Sequence, residues 1–342
     1  MAYTTIKKPS DYFNTKLYTG NGATQSITGV GFQPDWVWIK NRDNSYNNAL
    51  FDAVRGVTKF LASNNSDAEQ TNANELTAFG TDGFTTGNAS RTNNNNDSFA
   101  SWNWKANGTG VANTDGSISS TVSVNTTSGF SIVSWSGNGS NPSTVGHGLG
   151  VAPKMIIARI RNSSDNWRVG HDSLSGWNYN LSLQSTEAQY INTNVWNSTA
   201  PSSTYFTIGA ELNSGSGTYI AYCFAEKQGF SKFGSYTGNG SADGTFVYTG
   251  FKPAFVMVKA SSIVESWYTY DNKRTTSGGN PEDRYLLPNQ NIAEGTFAIY
   301  DFLSNGFKLR DVNPGFNNSG VSYIYMAFAE QPLVGDNPAT AR

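Results

Sequence analysis

Gly31-Phe32-Gln33-Pro34-Asp35-Trp36-Val37-Trp38-Ile39-Lys40 is the most informative stretch of the chain, because nearly the same thing is said twice more. The second copy is Gly150-Val151-Ala152-Pro153-Lys154-Met155-Ile156-Ile157-Ala158-Arg159. The third is Gly250-Phe251-Lys252-Pro253-Ala254-Phe255-Val256-Met257-Val258-Lys259. Each is a glycine and an apolar residue, a proline, then a run apolar at nearly every position. Such a run predicts a central strand covered on both faces, by a second layer or by a domain contact. The proline stands just before the strand, where a missing N–H costs the ladder little.

The flanks repeat as well. Each copy opens on a strand ending in a Gly-Asn-Gly turn: Gly20-Asn21-Gly22, Gly137-Asn138-Gly139 and Gly238-Asn239-Gly240. Each continues to a ring followed by aspartate (Phe51-Asp52, His171-Asp172, Tyr270-Asp271) and closes on an alternating strand at 99–104, 219–224 or 323–328. The last two copies end identically in Phe-Ala-Glu, at Glu226 and Glu330. Pro34 to Pro153 spans 119 positions and Pro153 to Pro253 spans 100. These are domain-sized intervals, not the 20–50-residue period of a solenoid. The expected fold class is therefore all-β, with three tandem antiparallel β-sandwich domains of jelly-roll or lectin-like type. The boundaries read as an N-terminal arm 1–14, repeats at 15–110, 111–228 and 229–331, and a C-terminal tail 332–342. Residues 117–124 alternate like an edge strand. The one helix-like stretch is 67–76.

Composition narrows the function. The chain has 342 residues; 23 Lys+Arg against 25 Asp+Glu leave a net charge of −2, which supplies no basic field for nucleic acid or an anionic membrane. Charged residues are 14% of the chain, so Asn, Ser, Thr and Gly must build the polar surface, and these favour turns over long helices. One cysteine excludes an intramolecular disulfide framework and a cysteine zinc cluster, and two histidines argue against a histidine-centred metalloenzyme. No stretch approaches a membrane span, and the first ten residues carry no apolar core of a signal peptide.

Chemistry-bearing residues are few. His171-Asp172-Ser173 is contiguous, but neighbours on a strand face opposite ways and cannot form a relay. Phe51 and Tyr270 at the matched position mark the His171 slot as one for a flat ring, and the matched Asp52, Asp172 and Asp271 read as turn-closing side chains. Glu211 with Glu226, and Asp301 with Glu330, are the carboxylate pairs that a glycosidase reading would use. Asn41-Arg42-Asp43-Asn44-Ser45 faintly resembles a calcium loop but lacks its closing glutamate. The Gly-Asn-Gly turns precede no helix and hold no phosphate. Recurring rings (Trp36 and Phe255; Trp102 and Tyr222; Trp104, Phe224 and Phe328) are assigned to the core. Trp177, Tyr179 and Trp196 lie in polar loops of one repeat only, and are the candidate contacts for a partner or a glycan. No catalytic, cofactor or metal residue is assigned.

The first of these proline runs with its Gly-Asn-Gly turn, together with 113–118, 146–157, Met326-Ala327-Phe328-Ala329-Glu330 and the ending Pro338-Ala339-Thr340-Ala341-Arg342, resembles a family of tailed-phage virion proteins common in marine phages. That resemblance covers nearly the whole chain. It implies a structural, tail-fibre or appendage protein with lectin-like β-sandwich domains, no cofactor and no catalytic residues. Implied with it are a place in the virion after assembly in the bacterial cytoplasm, other virion proteins and further copies of itself as partners, and a host-surface glycan as a further contact. A cysteine-poor chain suits assembly in a reducing cytosol. A carbohydrate-binding module array and a glycan depolymerase are the rival readings. The first requires exposed rings beside Asp or Asn in each repeat; the second requires two carboxylates about 5–9 Å apart in one groove.

Overall fold

The computed structural model describes residues 3–276, 278–334 and 338–339. The fold is all-β, built of several antiparallel sheets packed as sandwiches. Twelve strands carry it: β1 (Phe13–Thr19), β2 (Trp36–Asn41), β3 (Ala49–Asp52), β4 (Ser98–Trp104), β5 (Phe130–Ser136), β6 (Met155–Ile160), β7 (Arg168–His171), β8 (Thr218–Phe224), β9 (Ser231–Thr237), β10 (Phe251–Ala260), β11 (Trp267–Asp271) and β12 (Ser322–Pro332). One order recurs three times, β1-β4-β2-β3, β5-β8-β6-β7 and β9-β12-β10-β11, every pair antiparallel. Pro34 and Pro153 stand before their strands, but Pro253 lies within β10, at a shift of register that spares the ladder its missing N–H; in all three units this strand is flanked by the strand that closes the unit. In the second unit, strands 111–113 and 120–125 extend the sheet beyond β5.

Each main sheet is covered on one face by a second sheet of its own, of three, two and four strands in turn. The interlayer cores are Ile27, Val37, Ile39, Phe51 and Phe84 in the first unit; Trp135, Ile156, Ala158 and Phe206 in the second; and Val256, Val258, Tyr270 and Phe307 in the third. The other faces meet one another. Trp36, Trp38, Trp102, Trp104, Phe130, Met155, Ile157, Tyr222, Phe224, Phe255, Met257 and Phe328 form one core shared by all three units. This explains why the proline runs are apolar on nearly every residue: alternate side chains (Val37, Ile39 against Trp36, Trp38) enter two different cores. The recurring units are therefore not beads with cores of their own alone, but sheets packed around a common apolar centre.

One sequence expectation is corrected. Residues 67–76 contain no helix; Glu69 is drawn out as a strap whose backbone N–H bonds to Arg161 O at 2.7 Å, across the boundary with the second unit. The described part of the N-terminal arm, from residue 3 onward, packs against the rest of the fold. Thr4 and Ile6 are buried, Ile6 in the shared core; Tyr3 OH donates to Gly250 O at 2.8 Å, and Phe13 stacks on Phe328 at 4.8 Å. These contacts fasten the segment leading into β1 to the third unit. Of the tail, 335–337 and 340–342 lie outside the described residues.

Candidate functional site

The repeated polar residues converge on three joints between units, and these joints are the best-organised polar chemistry of the molecule. Strand register identifies their members. Asp52 pairs across the ladder with Trp36, Asp271 with Phe255, and His171 with Met155. The structural equivalents are thus Asp52, His171 and Asp271, which corrects the sequence alignment by one residue. Asp172 lies outside, half-exposed, bonded to Lys154 Nζ at 2.6 Å. The ring slot held by Phe51 and Tyr270 falls in the second unit on Gly170, not on His171.

At the first joint, Tyr222 OH of the second unit donates to Asp52 Oδ2 at 2.8 Å, and Arg55 closes an ion pair on the same carboxylate. Arg55 also reaches Glu69, which is gripped by Arg161 of the second unit at 2.9 Å. At the second joint the arrangement recurs between the third unit and the first. Trp102 Nε1 donates to Asp271 Oδ2 at 2.9 Å, Arg274 Nε stands 2.6 Å from Asp271, and Glu294 bridges Arg274 at 2.9 Å and Arg42 at 2.7 Å. Burial alone would lower both buried guanidinium pKa values, but the aspartates and glutamates reverse that and raise them. The third joint, of the second unit with the third, solves the same problem without charge. His171 Nδ1 accepts the Ser173 N–H at 3.0 Å, so Nε2 carries the proton and points it at Tyr325 O, 3.3 Å away. Leu174 and Met326 stand where the other joints have arginine and a donor ring. Burial pushes the His171 imidazole down to about 4, which keeps it neutral.

A second ring of contacts follows the same cyclic sense. The residue six places after each proline is a buried cation: Lys40, Arg159 and Lys259. Arg159 donates to carbonyls of Ala62, Asn65 and Asp67 in the first unit, and Lys259 Nζ to Thr186 O of the second at 3.3 Å. Trp167 Nε1 donates to Ala62 O, Trp267 Nε1 to Ser182 O, and Asn48 Nδ2 to Leu287 O, each into the preceding unit or, for Asn48, back to the third. The circle closes. Desolvation lowers Lys40 and Lys259 to about 8 and Arg159 to about 10. In the calcium-like stretch, Lys40 Nζ itself takes the carbonyls of Asn41 (2.7 Å) and Asn44 (3.3 Å), while Asn41 and Asn44 amides donate to Asp97.

The Gly-Asn-Gly turns serve packing. A buried asparagine from late in each unit (Asn93, Asn213, Asn317) accepts the N–H of Asn21, Asn138 or Asn239 at 2.9 Å and donates to the turn. A Cβ on Gly20, Gly137 or Gly238 would fall onto a carbonyl oxygen of Asn94, Ser214 or Asn318, so only glycine permits the approach. Sequence reading missed these asparagines and the three buried cations. The cations were nonetheless visible at one offset from each proline.

The candidate contact residues turn inward. Trp196 is fully buried and Trp177 only 9% exposed, packed edge-to-face at 5.8 Å. They crowd Gly170 so closely that a Cβ there would meet both rings. The loop tryptophans thus fill the hole left where the other units carry Phe51 and Tyr270. Tyr179 is half-buried against the shared core and pairs with Ile191. Each carboxylate named for a glycosidase reading carries an ion pair of its own: Glu211 binds Arg168, Glu226 binds Lys232, Asp301 binds Arg310 and Glu330 binds Lys252. Among the described residues no helix is long and apolar enough to cross a membrane. No curated protein and no solved structure matches the chain. One family model does, over residues 8–332, which takes in all three units, and the chain accordingly belongs to the family described as Domain of unknown function (DUF7483).

Proposed function

We propose that the chain is a non-enzymatic structural protein of a tailed-phage virion (a tail fibre, an appendage or a capsid decoration), held by other virion proteins and by further copies of itself, with a host-surface glycan as an outer contact. One observation carries this reading beside the sequence resemblance. The polar and ring residues that recur at matched positions are closed on the neighbouring unit and hold the molecule together, as expected of a scaffold. The carbohydrate-module reading is the weaker one, since the loop rings that would have stacked on sugar pack inside. The test is to purify particles of a phage encoding the chain and locate it by peptide mass spectrometry and gold-labelled antibody. Regular labelling at one site on the particle is expected. Expression in infected cells without incorporation would overturn the proposal.

A further inference from the structure

The third unit contains a small cavity, about 190 Å³, lined by Lys252, Asn272, Asn280, Glu282, Phe302 and Glu330, among others. Its chemistry is one-sided. Glu282 is only 3% exposed and its Oε2 has no hydrogen-bond partner; the buried Asn272 Oδ1 has none either. Glu330 Oε2, on the same wall, has only the Lys252 ammonium, 2.9 Å away. Three buried acceptor oxygens therefore line one cavity with a single cation between them. Leaving such groups unmatched is costly, and an ion or donor in the cavity would relieve that cost. Burial is the largest influence on the Glu282 carboxyl; the charges of Asp271, Asp283 and Glu330 add to it and that of Lys252 opposes it, and together they push the group up to about 8.

We propose that this cavity is a divalent-cation site of the calcium class, with Glu282, Glu330 and the Asn272 amide oxygen as protein ligands. An all-oxygen set containing two carboxylates and an amide suits a hard cation and not zinc. Among the described residues no three His, Cys, Asp or Glu converge on one point, so the remaining ligands are water or backbone carbonyl, and the affinity belongs to the weak, sub-millimolar to millimolar range. On binding, the ion replaces Lys252, whose side chain is 17% exposed, as the partner of Glu330 Oε2.

Calorimetric titration of the full chain with calcium chloride tests the site. One ion should bind, seen as a saturable heat. Glu282→Gln, which keeps the size and shape of the side chain, should fold normally and lose binding by ~100-fold or more. Lys252→Ala removes the competing ammonium and should tighten binding by ~10-fold. Absence of heat up to about 10 mM calcium with the parent chain at alkaline pH, above the range of weak protein sites, would overturn the site. So would equal binding by the parent and Glu282→Gln. The site stands or falls independently of the virion reading.

Discussion

Arg274 offers the sharpest test of the joint architecture. Its side chain is fully buried and satisfies three acceptors: Asp271 at 2.6 Å, Glu294 at 2.9 Å and Thr269 O at 2.9 Å; it also lies over the Trp102 ring at 5.5 Å. In Arg274→Leu, Glu294 keeps Arg42, but Asp271 stays buried with only Trp102 Nε1 and the N–H groups of residues 273 and 274 as donors. Stranding one member of a buried ion pair costs about 3–5 kcal/mol, and the remaining donors place this case toward the lower end. The second unit supplies the control, because it carries His171 and Leu174 at the same two positions. Asp271→His with Arg274→Leu imports that uncharged solution and should lie within ~2 kcal/mol of the parent, since replacing a whole buried pair is far cheaper than breaking it. Urea unfolding followed by tryptophan fluorescence measures all three proteins. A single variant as stable as the parent, or a double variant no better than the single, would show that the joints are not matched pairs.

Four further outcomes are expected. His171 has its folded pKa lowered to about 4 against 6.5 unfolded, so the unfolded chain binds the extra proton. Stability should fall by about 3 kcal/mol as pH drops from above 6.5 through 4, and His171→Asn should flatten that part of the acid-unfolding curve. Glu282 behaves oppositely. Its folded pKa, raised to about 8, makes it a group whose stabilising proton is lost as pH rises from 4.5 through 8, so in calcium-free buffer Glu282→Gln should gain on the parent above pH 8 in thermal melts. Trp196→Ala should cost about 3–5 kcal/mol by opening a void, and Gly170→Ala about 1–3 kcal/mol by overpacking; wild-type melting temperatures for both would mean that the slot over Gly170 is not tightly filled. Asn317→Ala strands the Asn239 N–H and the Asp311 and Ser241 carbonyls, and should lower the denaturation midpoint by an amount equivalent to about 1–3 kcal/mol.

The all-β class, the strands after each proline and the core rings were legible because periodicity and repetition report burial directly. The shared centre was foreshadowed by apolar residues on both faces of Trp36–Lys40, yet a run of that kind does not say whether a second sheet or a neighbouring unit covers it. The one-residue misalignment of the second unit arose because His171-Asp172 imitates Phe51-Asp52 in letters, whereas ladder register places His171 opposite Met155. The loop tryptophans misled for a related reason. Local polarity around Trp177 and Trp196 suggests exposure, and only the empty space over Gly170, a feature of tertiary packing, draws them in. Glu282 escaped notice because no repeat matches it and its burial depends on strands distant in sequence.

The unlike third joint bears on how the chain assembles. Three identical seams would allow the copies to close in more than one order. Here an acid seeks a tyrosine in one seam, an acid seeks a tryptophan in the next, and an imidazole seeks a bare carbonyl in the last. Each surface is matched to one particular unit, so divergence among the copies fixes the order in which the three close on one another.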